Sequence, residues 1–328
     1  MIAGGVVGTG SGGAARAGVF ASWNGRLPGG AEPYSGLYTW SLSATTPDSS
    51  ARFRVPGSTL LVQCGRIPFR SYDCNGEPSL LADNAAFGGG SDWYNGTATG
   101  RLYDNGLTDN WPLCPQRPCV STIVPFGDVN GDGFADILVR YGSGVLRAYL
   151  GSGSTGFGPQ GTKSISFGNG WNAYNALAYP GDLTRDGKPD LVARDGKGRL
   201  WLFASTGKGK FRARARISGE WGGYARLIGA GDLTGAGVGD LLAIDKSGVM
   251  WLFTGNGHGG FLPRHRVSSG WSRYNTVIGI GDLSIDGCND LVARDRQGTL
   301  WRFDGNCRGG FGRPVKISTG FGKYQALF

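Results

Sequence analysis

The stretch WNAYNALAYPGDLTRDGKPDLVARDGKGRLWLFASTGKGKFRARARISGE, residues 171–220, is followed by two segments that repeat its landmarks at a spacing of fifty residues. Trp171, Trp221 and Trp271 open the three frames, and Phe321 opens a fourth that runs to Phe328. Gly181-Asp182, Gly231-Asp232 and Gly281-Asp282 recur first, followed by Leu200-Trp201, Met250-Trp251 and Leu300-Trp301. A period of this size without spacers means a repeat architecture, in which each unit buries its face only against its neighbours.

One frame reads as four short strands. Tyr174 to Leu183 is a strand running into a loop, and Asp190 to Arg194 is a second strand. Asp195-Gly196-Lys197-Gly198 has hairpin-turn chemistry. Arg199 to Ala204 is a third strand, and the Gly-rich Ser205–Gly209 leads to a fourth, Phe211 to Ile217. Strands apolar on both faces, four to a frame, are the pattern of a propeller blade sandwiched between two others. Gly or Pro interrupts each longer window, which excludes helices.

The expected fold class is therefore all-β: a β-propeller of about five four-stranded blades, spanning residues 64–328. The blades are placed at 64–92, 93–170, 171–220, 221–270 and 271–320. Asn75–Ala82 aligns with Asp186–Ala193 and marks a degenerate first blade. Trp93 is taken to open the second, whose loop at Gly127-Asp128 is delayed by an insert over Gly96–Thr122. The closing strand, 321–328, is expected to complete the first blade and leave no sheet edge bare. Residues 1–17 are a flexible Gly/Ala-rich N-terminus, and 18–63 a separate partial β segment.

The loop Asp128-Val129-Asn130-Gly131-Asp132-Gly133-Phe134-Ala135-Asp136 places oxygen donors at positions 1, 3, 5 and 9, with the Phe134 carbonyl at 7. Calcium takes six to eight oxygens, which alternate residues of a tight loop can supply. The third blade offers Asp182, Thr184, Asp186, the Lys188 carbonyl and Asp190. The fifth offers Asp282, Ser284, Asp286, the Cys288 carbonyl and Asp290. The fourth keeps Asp232, Thr234, Gly237 and Asp240 but has Ala236 at position 5, so it should bind weakly or stay empty. About three structural Ca2+ ions are expected. Asx-turn networks holding the loops through side-chain-to-backbone bonds are the alternative, which best suits the fourth blade.

The net charge is +9, with no basic run of five or more, so nucleic-acid binding is not expected; anionic glycans could use the same charge. The six cysteines form three close pairs, Cys64-Cys74, Cys114-Cys119 and Cys288-Cys307, without zinc spacing. They read as three disulfides made in an oxidising compartment, with free buried thiols as the alternative. Residues 1–17 lack the pattern of a signal peptide, and no stretch reaches the ~20 apolar residues of a membrane span.

The tandem Asp-x-Asp/Asn-x-Asp-Gly-x-x-Asp motif, each copy followed by a short apolar strand, resembles the FG-GAP/VCBS repeats of integrin α-chain propellers and of secreted actinobacterial proteins. The resemblance covers residues 64–328. It implies a calcium-bound propeller, exported from the cell, serving as a binding or adhesion module. Integrin propellers have seven blades, whereas this sequence supplies about five. Trp23-Asn24-Gly25 and Ser35-Gly36-Leu37-Tyr38-Thr39-Trp40 resemble the second half of the immunoglobulin-like domain of flagellar hook-cap proteins. Together with the missing signal, that match implies the C-terminal part of a longer secreted protein.

The frame-start aromatics Trp171, Tyr174, Trp221, Tyr224, Trp271 and Tyr274 are candidates for stacking on a sugar in the grooves between blades. Packing between blades is the competing role. The 96–122 insert is a further recognition candidate. Catalysis is not expected: His258 and His265 stand in place of Lys208 and Ala215 near a turn, and no Gly-x-Ser-x-Gly motif occurs. The leading reading is a secreted module that binds carbohydrate or an extracellular protein. The alternative is an accessory, non-catalytic C-terminal domain of a larger secreted enzyme. Oligomeric state is not legible.

Overall fold

The computed structural model describes residues 36–45, 52–62, 69–72, 77–84, 90–97, 99–110, 120–153 and 162–328. Strands β1 (Gly36–Thr45) and β2 (Arg52–Val62) pair antiparallel as a two-stranded sheet. The rest of the expected immunoglobulin-like segment lies outside the described residues, as do residues 1–17.

The remaining strands form five four-stranded antiparallel sheets, and these are the blades of a β-propeller. The first contains β3 (Ser79–Asn84), β4 (Gly90–Gly96) and β5 (Leu102–Asn110). The second contains β6 (Val120–Pro125), β7 (Ile137–Tyr141), β8 (Leu146–Tyr149) and β9 (Ser164–Ser166). The third runs through β10 (Tyr174–Gly181), β11 (Asp190–Asp195), β12 (Leu200–Ala204) and β13 (Ala215–Ile217). The fourth uses β14 (Tyr224–Gly229), β15 (Leu241–Asp245), β16 (Met250–Phe253) and β17 (His265–Ser268). The fifth uses β18 (Tyr274–Gly281), β19 (Asp290–Asp295), β20 (Leu300–Phe303) and β21 (Val315–Ser318).

The ring closes as expected. Strand β22 (Ala326–Leu327) pairs with β3 through Ala326↔Asp83 and Leu327↔Ala82, completing the first blade. Leu81 and Phe328 exchange backbone bonds of 3.1 and 2.8 Å beside it. Tyr324 adds a side-chain lock, its hydroxyl 2.6 Å from that of Tyr94 and donating to Asp92 at 2.7 Å.

One boundary differs from the sequence reading. Trp93 lies inside β4, paired with Leu81, and is fully buried. It therefore belongs to the third strand of the first blade, the strand that carries Trp201, Trp251 and Trp301 in the regular blades. Part of the presumed insert is accordingly β5, the outer strand of the first blade, paired with β4. An aromatic occurs at two places in every frame, and the local sequence does not say which of them Trp93 fills.

The core is a chain of five interfaces, because each blade is apolar on both faces. Leu191 and Ala193 pack against Val124 and Leu138 of the second blade. Val192, between them, points the other way, to Leu241 and Ala243 of the fourth. The same alternation sends Leu242 and Ile244 to Leu291 and Ala293, and Val292 to Leu80 and Ala82. Leu81 meets Ile137 and Val139, so the last interface joins the first blade to the second. This is the period-2 rule of a strand with no solvent face.

Cys288 and Cys307 are bonded, with S–S 2.02 Å and Cα–Cα 5.1 Å. The pairs Cys64-Cys74 and Cys114-Cys119 lie outside the described residues. Among the described residues, no helix is long and apolar enough to cross a membrane.

Candidate functional site

Each aspartate loop is built on two carboxylates with different duties. The position-1 aspartate turns back over its own loop. Asp128 accepts from the backbone N–H groups of Gly131 at 2.6 Å and Gly133 at 2.8 Å. Asp182 accepts from Asp186 and Gly187, Asp232 from Ala236 and Gly237, and Asp282 from Asp286 and Gly287. The position-9 aspartate is fully buried in all four loops. It ties the loop to the end of the third strand: Asp190 accepts from Leu183, Thr184 and Ser205, and Asp240 from Leu233 and Gly255. Asp136 bonds Val129 and Gly151, and Asp290 bonds Ser284 and Gly305.

The fourth loop keeps this scaffold although Ala236 replaces the position-5 acid. The acids at position 5 are therefore not needed to fold the loop. Asp132 accepts from the Asn130 side chain at 2.8 Å, and Asp186 is paired with Lys188 at 3.0 Å and Arg212 at 3.4 Å. Asp186 lies below the usual carboxylate range: burial pushes it up, but the Lys188 ammonium outweighs that.

Burial pushes the Asp136 carboxyl up to about 7, and Asp190, Asp240 and Asp290 up to about 6, although backbone N–H groups oppose the shift. Burial also raises Asp282. The Ser284 hydroxyl, at position 3 of the fifth loop, lies beside the Asp290 carboxyl and helps hold its charge. Buried carboxylates short of positive charge, with hydroxyl and carbonyl oxygens beside them, fit a hard divalent cation. Among the described residues, however, no three His, Cys, Asp or Glu side chains form a cage on their own. The donors would be mixed: carboxylates, Asn130, Thr184 or Ser284, and the position-7 carbonyls of Phe134, Lys188 and Cys288.

The loops also join blades. Gly209 donates to the Val129 carbonyl at 2.8 Å, Gly259 to Leu183 at 3.0 Å, and Gly309 to Leu233 at 2.9 Å. The second-, third- and fourth-blade loops thus each hold the turn between strands three and four of the following blade.

The frame-start aromatics are packed inward. Trp171, Trp221 and Trp271 are between 2% and 6% exposed, and Tyr174, Tyr224 and Tyr274 are equally buried. Trp171 packs with tilted rings 4.7 Å from Phe203, Trp221 4.4 Å from Phe253, and Trp271 4.7 Å from Phe303. Trp271 and Tyr274 nevertheless reach the wall of a recess of about 980 Å³ between the fourth and fifth blades. Phe303 and Phe311 share that wall, and Thr234 and Asn306 offer polar groups. The equivalent positions in the preceding frames are filled. Arg214 lies 4.2 Å over Trp201 and donates to the Tyr174 hydroxyl. Arg264 lies 4.0 Å over Trp251 and donates to the Tyr224 hydroxyl.

A recurring arginine was not anticipated from the sequence. Arg140 donates to the Trp171 and Tyr174 carbonyls, Arg194 to Trp221 and Tyr224, and Arg294 to Phe321 and Tyr324. In the fourth blade Arg226 does so, to Trp271 and Tyr274. Each guanidinium pins the single 3-10 turn or bend that opens the next frame. The recurrence of Arg at 140, 194 and 294 is the signal that could have exposed it.

Residues 128–193 and 182–243 match the family model described as FG-GAP-like repeat. A search of curated protein sequences finds no match. Among solved structures, the chain is similar to an Agrocybe aegerita lectin described as recognising non-reducing terminal N-acetylglucosamine. That likeness has 22% identity over 78% of this chain and 72% of that one, with a TM-score of 0.44. It is also similar to the BP39L lectin of Burkholderia pseudomallei, at 15% identity over 87% and 84%, TM-score 0.45. The Photorhabdus luminescens Tc holotoxin pore aligns at 19% identity over 75% of this chain and 12% of that one, TM-score 0.40.

Proposed function

We propose that this propeller is a non-catalytic carbohydrate-binding module, stabilised by calcium in its aspartate loops and operating outside the cell. The observation that carries the reading is the recess between the fourth and fifth blades. Its wall joins the partly exposed Phe311 ring, backed by the buried Trp271, Tyr274 and Phe303, to the polar groups of Thr234 and Asn306. A pyranose ring has that same division, an apolar C–H face and a polar rim, and concave recesses that pair apolar and polar groups are the usual form of small-ligand sites. The Cys288–Cys307 bond supports an oxidising compartment. Buried, partly uncompensated carboxylates support the cation, which would stiffen the loops that hold neighbouring blades together.

A glycan array probed in calcium and again in chelator tests both parts. Binding of a defined glycan set in calcium, weakened by chelator, is the expected outcome. An array without binders would remove carbohydrate as the ligand and leave an extracellular protein as the partner.

A further inference from the structure

We infer that the recess between the fourth and fifth blades takes an acidic saccharide, one carrying carboxylate or sulfate, in preference to a neutral one; this rests on the carbohydrate reading above. Two independent features of this one groove support it.

The first is why the groove is open. Arg214 and Arg264 lie across the third- and fourth-blade grooves, each stacked on a tryptophan and bonded to a tyrosine hydroxyl. The residue fifty positions on is Pro314, which has no group to lay over Trp301 or offer to Tyr274. Phe211 and Phe261 also close on the frame-start tryptophans, at 6.3 Å from Trp171 and 5.7 Å from Trp221. Phe311, held by the equivalent bridge to Gly305, makes no ring contact among the described residues. The fifth blade thus lacks the guanidinium laid over its strand-three tryptophan, while Tyr274 has Arg273 beside it and Phe311 packs on the edge of the core around Trp271.

The second is charge. Arg266, Arg273, Arg308 and Arg313 line the recess, and no Asp or Glu does. Among the described residues, none of the four has a carboxylate within salt-bridge distance; Arg273 rests 5.0 Å over the Tyr274 ring. Arginine forks suit carboxylate and sulfate oxygens. The loop that reaches the groove, through Thr234, is the one in which Ala236 replaces an acid, so the nearest aspartate cluster is also the least negative. Single-stranded nucleic acid would want successive stacking platforms along a basic track. Here the preceding groove is crossed by Arg264, so no run of stacking platforms extends in that direction.

The test is calorimetric titration of the whole chain with four probes: trigalacturonic acid, a sulfated chondroitin tetrasaccharide, neutral cellotriose, and an oligothymidylate. Either or both acidic sugars should bind at least tenfold more tightly than cellotriose, and which one does identifies carboxylate or sulfate. Arg308→Gln/Arg313→Gln should weaken the acidic sugar at least tenfold. Pro314→Arg should weaken it as well, because the new guanidinium would lie across the groove as Arg264 does. That variant adds positive charge, so tighter binding by it would mean diffuse surface attraction and would overturn the inference. Equal binding of cellotriose would overturn the acidic preference while leaving the carbohydrate reading intact. Oligothymidylate binding that displaces the sugars would overturn it in favour of nucleic acid, and no binding of any sugar would overturn both readings. Unchanged melting temperatures of the variants show that lost binding is not lost fold.

Discussion

Arg226 faces Ile244 directly across the first two strands of the fourth blade, and the two have exchanged the roles that their counterparts hold elsewhere. In the third blade the arginine is Arg194, on the second strand, opposite Ala176; in the fifth it is Arg294, opposite Thr276. The guanidinium reaches the same pair of carbonyls from either side of the pair. Arg226→Thr alone leaves the Trp271 and Tyr274 carbonyls without their donor, a loss of about 2 kcal/mol for bonds to a charged group. Adding Ile244→Arg should restore most of it, measured by urea unfolding. A double variant no better than the single one would show that the clamp is not transferable.

Position 9 and position 5 of the aspartate loops should separate cleanly on mutation. Asp190→Ala strands two buried backbone donors, at Leu183 and Ser205, and a half-buried one at Thr184, and should cost about 3 kcal/mol with or without calcium. Asp186→Ala/Asp286→Ala should fold as wild type in chelator, because the Ala236 loop keeps the same backbone bonds. It should lose most of the rise in melting temperature that calcium gives the wild type. Equal melting of the wild type in calcium and chelator would remove the ion from the account.

Ile285 occupies position 4 of the fifth loop at φ 60°, where Gly131 and Gly235 stand in the second and fourth loops, and it is 43% exposed. A β-branched residue is strained in that left-handed region and here has little burial to offset the strain. Ile285→Asn, which tolerates the conformation, should raise stability by about 1 kcal/mol in thermal or urea unfolding.

Asp245 caps the hairpin turn of the fourth blade. Bonds from the Ser247 hydroxyl and the Trp251 indole, at 2.6 and 2.9 Å, hold its carboxyl down at about 2. An unperturbed aspartate titrates near ~3.9, so this group's stabilisation is complete above about pH 4 and disappears as pH falls through about 2. The stability gap between wild type and Asp245→Asn should therefore be constant from pH 7 to pH 5 and shrink below pH 4. A gap that widened on acidification would contradict the assignment.

Periodicity made the ring legible: Trp, Gly-Asp and a second Trp repeat in register, and only blades packed on both sides tolerate Leu191-Val192-Ala193 with every side chain apolar. The aspartate loops were equally plain as turns, because Asp at positions 1 and 9 recurs at fixed spacing and both carboxylates bond the loop backbone. Trp93 was misplaced because tryptophan identifies a blade without saying which strand holds it. The arginine clamp was missed for a different reason: its targets are backbone carbonyls about one frame-turn ahead, which leave no mark on residue identity. The open groove was legible only by subtraction, since Pro314 becomes informative once Arg214 and Arg264 are seen to fill what it leaves vacant.

The pairing of residues near 80 with those near 327 has a consequence for biogenesis. During translation the first blade emerges with its inner strand missing and must wait, with hydrogen-bonding groups unpaired, while the other four are made. Assembly can spread from blade to blade through local contacts, but the final weld is the longest-range strand pairing among the described residues and forms after the other blades. A ribosome pausing before residues 326–327 are made would therefore expose the sticky seam of an almost finished ring.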